Sequence, residues 1–297
     1  MATIQGGFTS WDRTAWAALG RGRQPLGASP ASDSPVPFTE WDEIYVPVVH
    51  LIGVHLEASI DLRRRLAAAG LRGSGDGPFI IGLAGSVAAG KSTCAHTLAA
   101  LLSARPDRPV VEVVSTDGFL LPNSVLARRG LLMRKGFPET YDTDLIASVL
   151  GALVSGGAGE PIEMPRYSHE VYDIAGPPQL LARPDIVILE GVNALSTEIA
   201  DFCSLRLYLD VAESDLRRWY VARFATLVAE AETDPTSFFA QWTGLTADEI
   251  EALATTVWEG VNLVNLTEHI APSQARADIV LHLDGEHAAT EVTTRNR

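Results

Sequence analysis

The residues best suited to chemistry run from Gly85 to Thr93, as Gly85-Ser86-Val87-Ala88-Ala89-Gly90-Lys91-Ser92-Thr93, and contain the pattern G-x-x-x-x-G-K-[ST]. A glycine at each end lets the backbone curl so that successive N–H groups face one anion. A helix beginning near Lys91 would add the positive end of its dipole. Lys91 is then in reach of the outer phosphates of a nucleotide, and the Ser92 hydroxyl is placed to ligate Mg²⁺. The alternative, a glycine turn with no nucleotide, does not explain why the pattern stands directly between an apolar run and a helical segment.

Two carboxylates follow apolar runs further along. Val113-Val114-Ser115-Thr116-Asp117-Gly118 places Asp117 just past a strand, where a carboxylate can take the proton of an attacking alcohol. An Asp-Gly pair also caps turns, so both roles are open here. Asp185-Ile186-Val187-Ile188-Leu189 ends in Glu190-Gly191, the Walker B arrangement of an acid behind a doubly buried strand, which makes Glu190 the second metal candidate beside Ser92. A helix cap or a surface charge is the competing reading of Glu190.

These positions need a scaffold. From Pro78 onward, short β-branched runs alternate with helical segments, the pattern of a mostly parallel sheet covered on both faces. Strands are expected at 79–84, 110–115, 185–189, 205–211 and 278–283, with helices at 91–103, 143–153, 214–232 and 246–263. Ligands of such a sheet sit beyond the carboxyl ends of its strands, which is where the loop and both acids fall. Residues 1–77 read as an N-terminal helical region packed on the domain formed by 78–297. Within that region Trp11 and Trp16 mark an amphipathic stretch, 21–37 is a Pro/Gly/Ser-rich loop, and 39–69 is helical with a break near Pro47.

Composition limits the partners. The chain has 297 residues and a formal charge of −14, which repels nucleic acid and anionic membranes. Two cysteines, Cys94 and Cys203, offer neither a metal-ligand spacing nor a disulfide framework, and no uninterrupted apolar run nears the length of a bilayer span. A reducing, cytoplasmic setting is the expectation. Of the 23 Lys and Arg residues only Lys91 and Lys135 are lysines, so Lys135 is a candidate for a second cation where a slim point charge is needed.

Taken in order, the motifs resemble those of type I (prokaryotic) pantothenate kinases: GSVAAGKST at 85–93, STDGFLLP at 115–122 and RKGFPETY at 134–141. Tyr167-Ser168-His169, Tyr172-Asp173, Ile188 to Gly191, Trp219-Tyr220, Arg223-Phe224, Asp234-Pro235, Asn262 and Asn265-Leu266 continue the likeness, which runs from about Trp11 to the C-terminus. The resemblance implies a P-loop NTPase-type three-layer α/β sandwich with peripheral helices. It also implies an ATP- and Mg²⁺-dependent homodimer that phosphorylates pantothenate at its primary hydroxyl, at the start of coenzyme A synthesis. By motif, Lys91, Asp117 and Arg223 would be catalytic, with Asp117 the base and Arg223 neutralising the transferred phosphoryl group. Tyr167, His169, Tyr220 and Asn262, with Asp117, Lys135 and Arg223, would hold the acceptor. On spacing alone, Tyr220 and Arg223 share one helical face; a core tyrosine, a solvated arginine, a structural histidine and a helix-capping asparagine are the plainer readings.

The chain departs from the family at three single positions and in the stretch from Leu195 to Leu205, which is shorter than typical. His96 stands where an arginine linked to feedback by coenzyme A is usual, and an imidazole lacks the permanent charge and fork of a guanidinium, so weakened inhibition is expected. Leu227 replaces an aromatic and Trp242 a tyrosine near the acceptor pocket. A related kinase for another small alcohol is therefore a second reading. A non-catalytic nucleotide-binding regulator is a third, against which the retained Lys91, Asp117 and Arg223 speak.

Overall fold

In the run Phe79–Gly85 every residue is buried, because alternate side chains serve two different cores and neither face meets water. Phe79, Ile81 and Leu83 enter one core with Ile186, Ile188, Leu205, Leu207 and Leu209, whereas Ile80 enters a second with Val187, Leu189 and Val114. Each such aliphatic side chain contributes about 1.5–3 kcal/mol when removed from water. This is the middle layer of a computed structural model that describes residues 2–5, 7–21, 36–71, 77–156 and 160–296.

The main sheet has eight strands in the order β1-β2-β12-β11-β10-β3-β9-β4. They are β1 (Ala2–Gln5), β2 (Phe8–Asp12), β3 (Phe79–Gly85), β4 (Val111–Ser115), β9 (Ile186–Glu190), β10 (Leu205–Val211), β11 (Ile279–Leu283) and β12 (Ala289–Arg295). The ladders joining β4, β9, β3, β10 and β11 are parallel, and those of β12, β2 and β1 are antiparallel. Four short strands, β5 (Ile162–Met164), β6 (Tyr167–Ser168), β7 (Asp173–Ile174) and β8 (Gln179–Leu181), form two hairpin-like pairs outside it.

The expected strands are present within a residue, and the helices Lys91–Ser103, Thr143–Val154 and Glu213–Glu230 lie where the pattern put them. The helix expected at 246–263 starts at Ala247, behind a capping box between Thr246 and Glu249, and runs on in wide and tight turns to 276. Two differences are instructive. Residues 2–5 and 8–12 are strands, and only 13–20 is helical; β2 pairs with β12, a partner almost the whole chain away, so no local signal announces it.

The second difference is at Pro47, where no break occurs. The helix Phe38–Ala68 is continuous, and its turn at Trp41–Tyr45 is π-helical, the amide of Val46 reaching back to the carbonyl of Trp41. That wide turn precedes the proline and absorbs its missing N–H. Gly20 abuts the ring so closely that a Cβ there would lie 2.9 Å from Pro47 Cγ. The helix is long and apolar enough to cross a membrane by composition, yet Ile44, Val48, Val49, Ile52 and Leu56 are buried against the core shared with Leu98, Leu101 and Leu102.

The helices Phe38–Ala68 and Lys91–Ser103 thus cover one face of the sheet and Thr143–Val154 the other, giving three layers. Glu213–Glu230 and Ala247–Val257 pack on each other around Phe224, Val228, Phe239 and Ala254, a separate small core at the carboxyl edge. Arg13 closes the N-terminal region: it pairs with Glu40 and Glu43 at 2.6 Å each, and buried Glu40 also accepts the amide of Ala289 on β12 at 2.7 Å. Residues 22–35, the bulk of the Pro/Gly/Ser-rich segment, lie outside the described residues.

Candidate active site

The loop after β3 is a phosphate cradle by conformation as well as by motif. Gly90, at φ 84°, occupies the left-handed region at the N-cap of Lys91–Ser103 and has no side chain to cap that helix, so the first helical amides stay available to an anion. Ala88 is also left-handed at φ 64°, and the amide of Ala89 turns back to the carbonyl of Ser86 at 3.3 Å. The Ser86 hydroxyl is buried with no partner among the described residues.

Lys91 crosses this loop and donates to the Ser86 carbonyl at 2.8 Å. Burial lowers its pKa, the charges of Glu190 and Asp117 raise it, and Arg223 lowers it again. One ammonium therefore senses residues from β9, from the turn after β4 and from the helix Glu213–Glu230. The other three groups lie within electrostatic reach of Lys91.

Glu190 ends β9 and is 8% exposed, so it is no surface charge. Ser92 Oγ donates to its Oε1 at 3.2 Å. Burial pushes the Glu190 carboxyl up and Lys91 pulls it back down. A hydroxyl and a buried carboxylate side by side are the hard oxygen donors Mg²⁺ takes, and two protein ligands leave room for the phosphates and waters it keeps. Among the described residues there is no group of three or more His, Cys, Asp or Glu that could cage a metal.

Asp117 lies in the 3₁₀ turn Thr116–Phe119, and the turn is capped by Ser115, whose hydroxyl accepts the Asp117 amide at 3.3 Å. Gly118 serves a close approach, since a Cβ there would sit 2.1 Å from the Pro165 carbonyl. The Asp117 carboxylate has no ion pair among the described residues. Behind it the Thr116 hydroxyl bonds Asn193, tying this turn to the segment after Glu190.

The second lysine comes to the same place. Lys135 Nζ donates to Asn123 Oδ1 at 2.6 Å and to the Tyr172 carbonyl at 2.5 Å, and lies 4.7 Å from the ring centroids of both Tyr167 and Tyr172. Burial in this cage lowers its pKa to about 8, against the attraction of Asp173 and Asp117. His169 packs edge-on to Tyr167 with centroids 5.1 Å apart. Its pKa is lowered by burial and by Arg223, Lys91 and Lys135, while Asp117 raises it.

Tyr220 and Arg223 project from one face as their spacing requires, and Tyr220 shares a side-chain hydrogen bond with Asn262, in the π-helical turn Trp258–Asn262. Arg223 is exposed and unpaired with any carboxylate among the described residues. Leu227 and Trp242 both belong to the aromatic core beside Tyr220, where Trp242 meets Phe224 at 5.2 Å and Phe238 at 5.2 Å. Tyr172, Phe238 and Asn123 were not nominated: Tyr172 stacks on Phe238 with centroids 4.5 Å apart and has a left-handed backbone at φ 55°. Its place in Tyr172-Asp173 was the available signal, whereas Phe238 and Asn123 gave none.

The arrangement offers loop amides and Lys91 to an anion, and paired oxygen donors at Ser92 and Glu190 to a divalent cation. Residues 80–221 match the Phosphoribulokinase / Uridine kinase family. The chain is 46% identical over 260 residues to a pantothenate kinase of Sorangium cellulosum, covering 85% of this chain and 84% of that one. It is 39% identical to a pantothenate kinase of Xanthobacter autotrophicus, covering 97% of this chain and 96% of that one. Among solved structures, a D-glycerate 3-kinase from Cryptococcus neoformans aligns with TM-score 0.56 at 11% identity over 82% of this chain and 98% of its own, a likeness of fold alone.

Proposed function

The chain belongs to the type I pantothenate kinases, and from that premise we propose that it transfers the γ-phosphoryl group of ATP to the primary hydroxyl of pantothenate, yielding 4′-phosphopantothenate and ADP. The observation that supports this reading is that Asp117, Arg223, Lys91 and Lys135 all lie close enough to His169 for their charges to act on it.

In this reading the amides of residues 85–93 and Lys91 hold the β- and γ-phosphates. Ser92 and Glu190 would hold Mg²⁺, which would supply neutralisation of the charge on the transferred phosphate. Asp117 accepts the proton of the acceptor hydroxyl as its oxygen bonds to the γ-phosphorus and the bond to the ADP oxygen breaks. Arg223 offsets the charge gathered on the phosphoryl oxygens in the transition state. Tyr167, His169, Tyr220 and Asn262 orient the polyol and amide, and Lys135 pins the Tyr167 and Tyr172 wall.

The same reading places the protein in the cytoplasm, at the head of coenzyme A synthesis, as a homodimer. Feedback by coenzyme A is weak because His96 lacks the guanidinium fork. A coupled ADP-release assay over pantothenate, nucleosides and pantothenate-like amides tests the acceptor. Turnover fastest with pantothenate is expected; turnover with another alcohol and none with pantothenate refutes it.

A further inference from the structure

We propose that Asn123 is a positioning residue for the acceptor wall, its side-chain amide holding the Lys135 ammonium and the Tyr172 backbone in one bracket. Asn123 opens the short helix Asn123–Arg129, 12 residues before Lys135 and 49 before Tyr172. Its Oδ1 accepts Lys135 Nζ at 2.6 Å, and its Nδ2 donates to the Tyr172 carbonyl at 2.9 Å. Lys135 Nζ donates to that same carbonyl at 2.5 Å, so three polar groups close on one another. An amide suits the task because it offers an acceptor and a donor from one planar group; a carboxylate could take the lysine but could not donate to the carbonyl.

Tyr172 needs such a contact. Its backbone is left-handed at φ 55°, a conformation that is costly for a residue with a Cβ and persists only where the surroundings over-determine it. The backbone amide of Asn123 adds a second tie one residue on, donating to Asp173 Oδ1 at 2.9 Å beside the amide of Ile174 at 2.8 Å. Held this way, the Tyr172 ring stacks on Phe238 with centroids 4.5 Å apart and, together with Tyr167, flanks Lys135 Nζ at 4.7 Å.

The lysine's backbone is fixed separately. The Gly136 carbonyl accepts Asn265 Nδ2 at 2.9 Å, and the Gly136 amide donates to Thr140 Oγ1 at 3.1 Å. Asn123 therefore governs where the ammonium points, while other residues govern where its loop lies. An ammonium has three N–H donors; the bracket takes two and leaves the third for a ligand. The titratable groups facing Lys135 are Asp173 on β7, Asp117 after β4, His169 and the phenols of Tyr167 and Tyr172.

The inference rests on reading Lys135, Tyr167 and Tyr172 as a wall of the acceptor site. Because Lys91 and Lys135 are the only lysines, full-length protein labelled with ¹³Cε-lysine gives two signals in an NMR titration, that of Lys135 being the one lost in Lys135→Arg. Asn123→Ala removes an oxygen that favours the charged form and should lower the Lys135 midpoint from about 8. Asn123→Asp, which is isosteric and keeps the test open should the alanine variant not fold, should raise it by at least about one pH unit, with the Lys91 signal unmoved in both. In steady-state kinetics either variant should raise KM for pantothenate by roughly three- to tenfold, the worth of one hydrogen bond, and leave KM for ATP within about twofold. A Lys135 midpoint that stays put, or moves the same way in both variants, overturns the bracket. Equal rises in the two KM values, or none in that for pantothenate, overturn the positioning role. Wild type that does not phosphorylate pantothenate, while the Lys135 midpoint moves as expected, removes the acceptor assignment and leaves the bracket standing.

Discussion

Ser115 at the end of β4 and Glu190 at the end of β9 are direct partners in a parallel ladder. Because the register is fixed there, Asp117 follows two residues beyond one partner while the other is the buried carboxylate on Ser92. Base candidate and metal candidate therefore leave the sheet side by side, and Lys91 responds to both charges.

From this pairing, Asp117→Asn should keep nucleotide affinity and lose turnover by roughly 10²- to 10⁴-fold, the usual consequence of removing a general base. Steady-state kinetics with a parallel nucleotide titration measures both. Turnover close to wild type would move the base role to Glu190.

The cage around Lys135 predicts an alkaline limb. Its pKa, lowered to about 8 chiefly by burial, leaves the ammonium charged below that pH, and the charge that strengthens its donation to Asn123 and Tyr172 is lost as pH rises through it. kcat/KM for pantothenate should fall above about pH 8, and Lys135→Arg, permanently charged, should shift the limb upward. Folding stability moves the other way. Between about 8 and the ordinary value of 10.5 the unfolded chain binds the proton more readily, so the penalty of burying the ammonium is full below pH 8 and fades as pH climbs. A pH profile flat to pH 10 contradicts the assignment.

His96 is exposed on the helix that begins at Lys91, and its charge is felt by Glu190. His96→Arg should strengthen inhibition by coenzyme A by roughly ten- to a hundredfold, the worth of a charge-assisted hydrogen bond to phosphate. An unchanged inhibition constant would falsify the link between this position and feedback.

The Arg13 and Glu40 pair predicts a stability effect far from the cleft. Arg13→Ala leaves a buried carboxylate without its partner, and urea unfolding should show a loss of about 2–4 kcal/mol. Glu40→Gln removes the stranded charge and should cost less; a larger cost for that variant would show that the amide of Ala289, not the ion pair, dominates.

Much of this protein was written locally. The chemistry of residues 85–93 is a conformational property of glycines, a lysine and a helix start, and the parallel strands announce themselves because burial on two faces permits only apolar side chains. Asp117 and Glu190 could be nominated because any acid directly after such a strand emerges at the ligand edge.

What the sequence could not state were the relations between distant segments. The pairing of β2 with β12 and the approach of both lysines to His169 each join residues too far apart in the chain for any local periodicity to record them. Pro47 makes the same point in a helix: a proline reads as a break until a wide turn before it removes the clash. Local pattern fixes what each segment can become, because backbone geometry and hydrophobic period act over a few residues. Which charges end up sharing one low-dielectric cleft depends on how the layers stack, and that decided the pKa values and contacts from which the mechanism is argued.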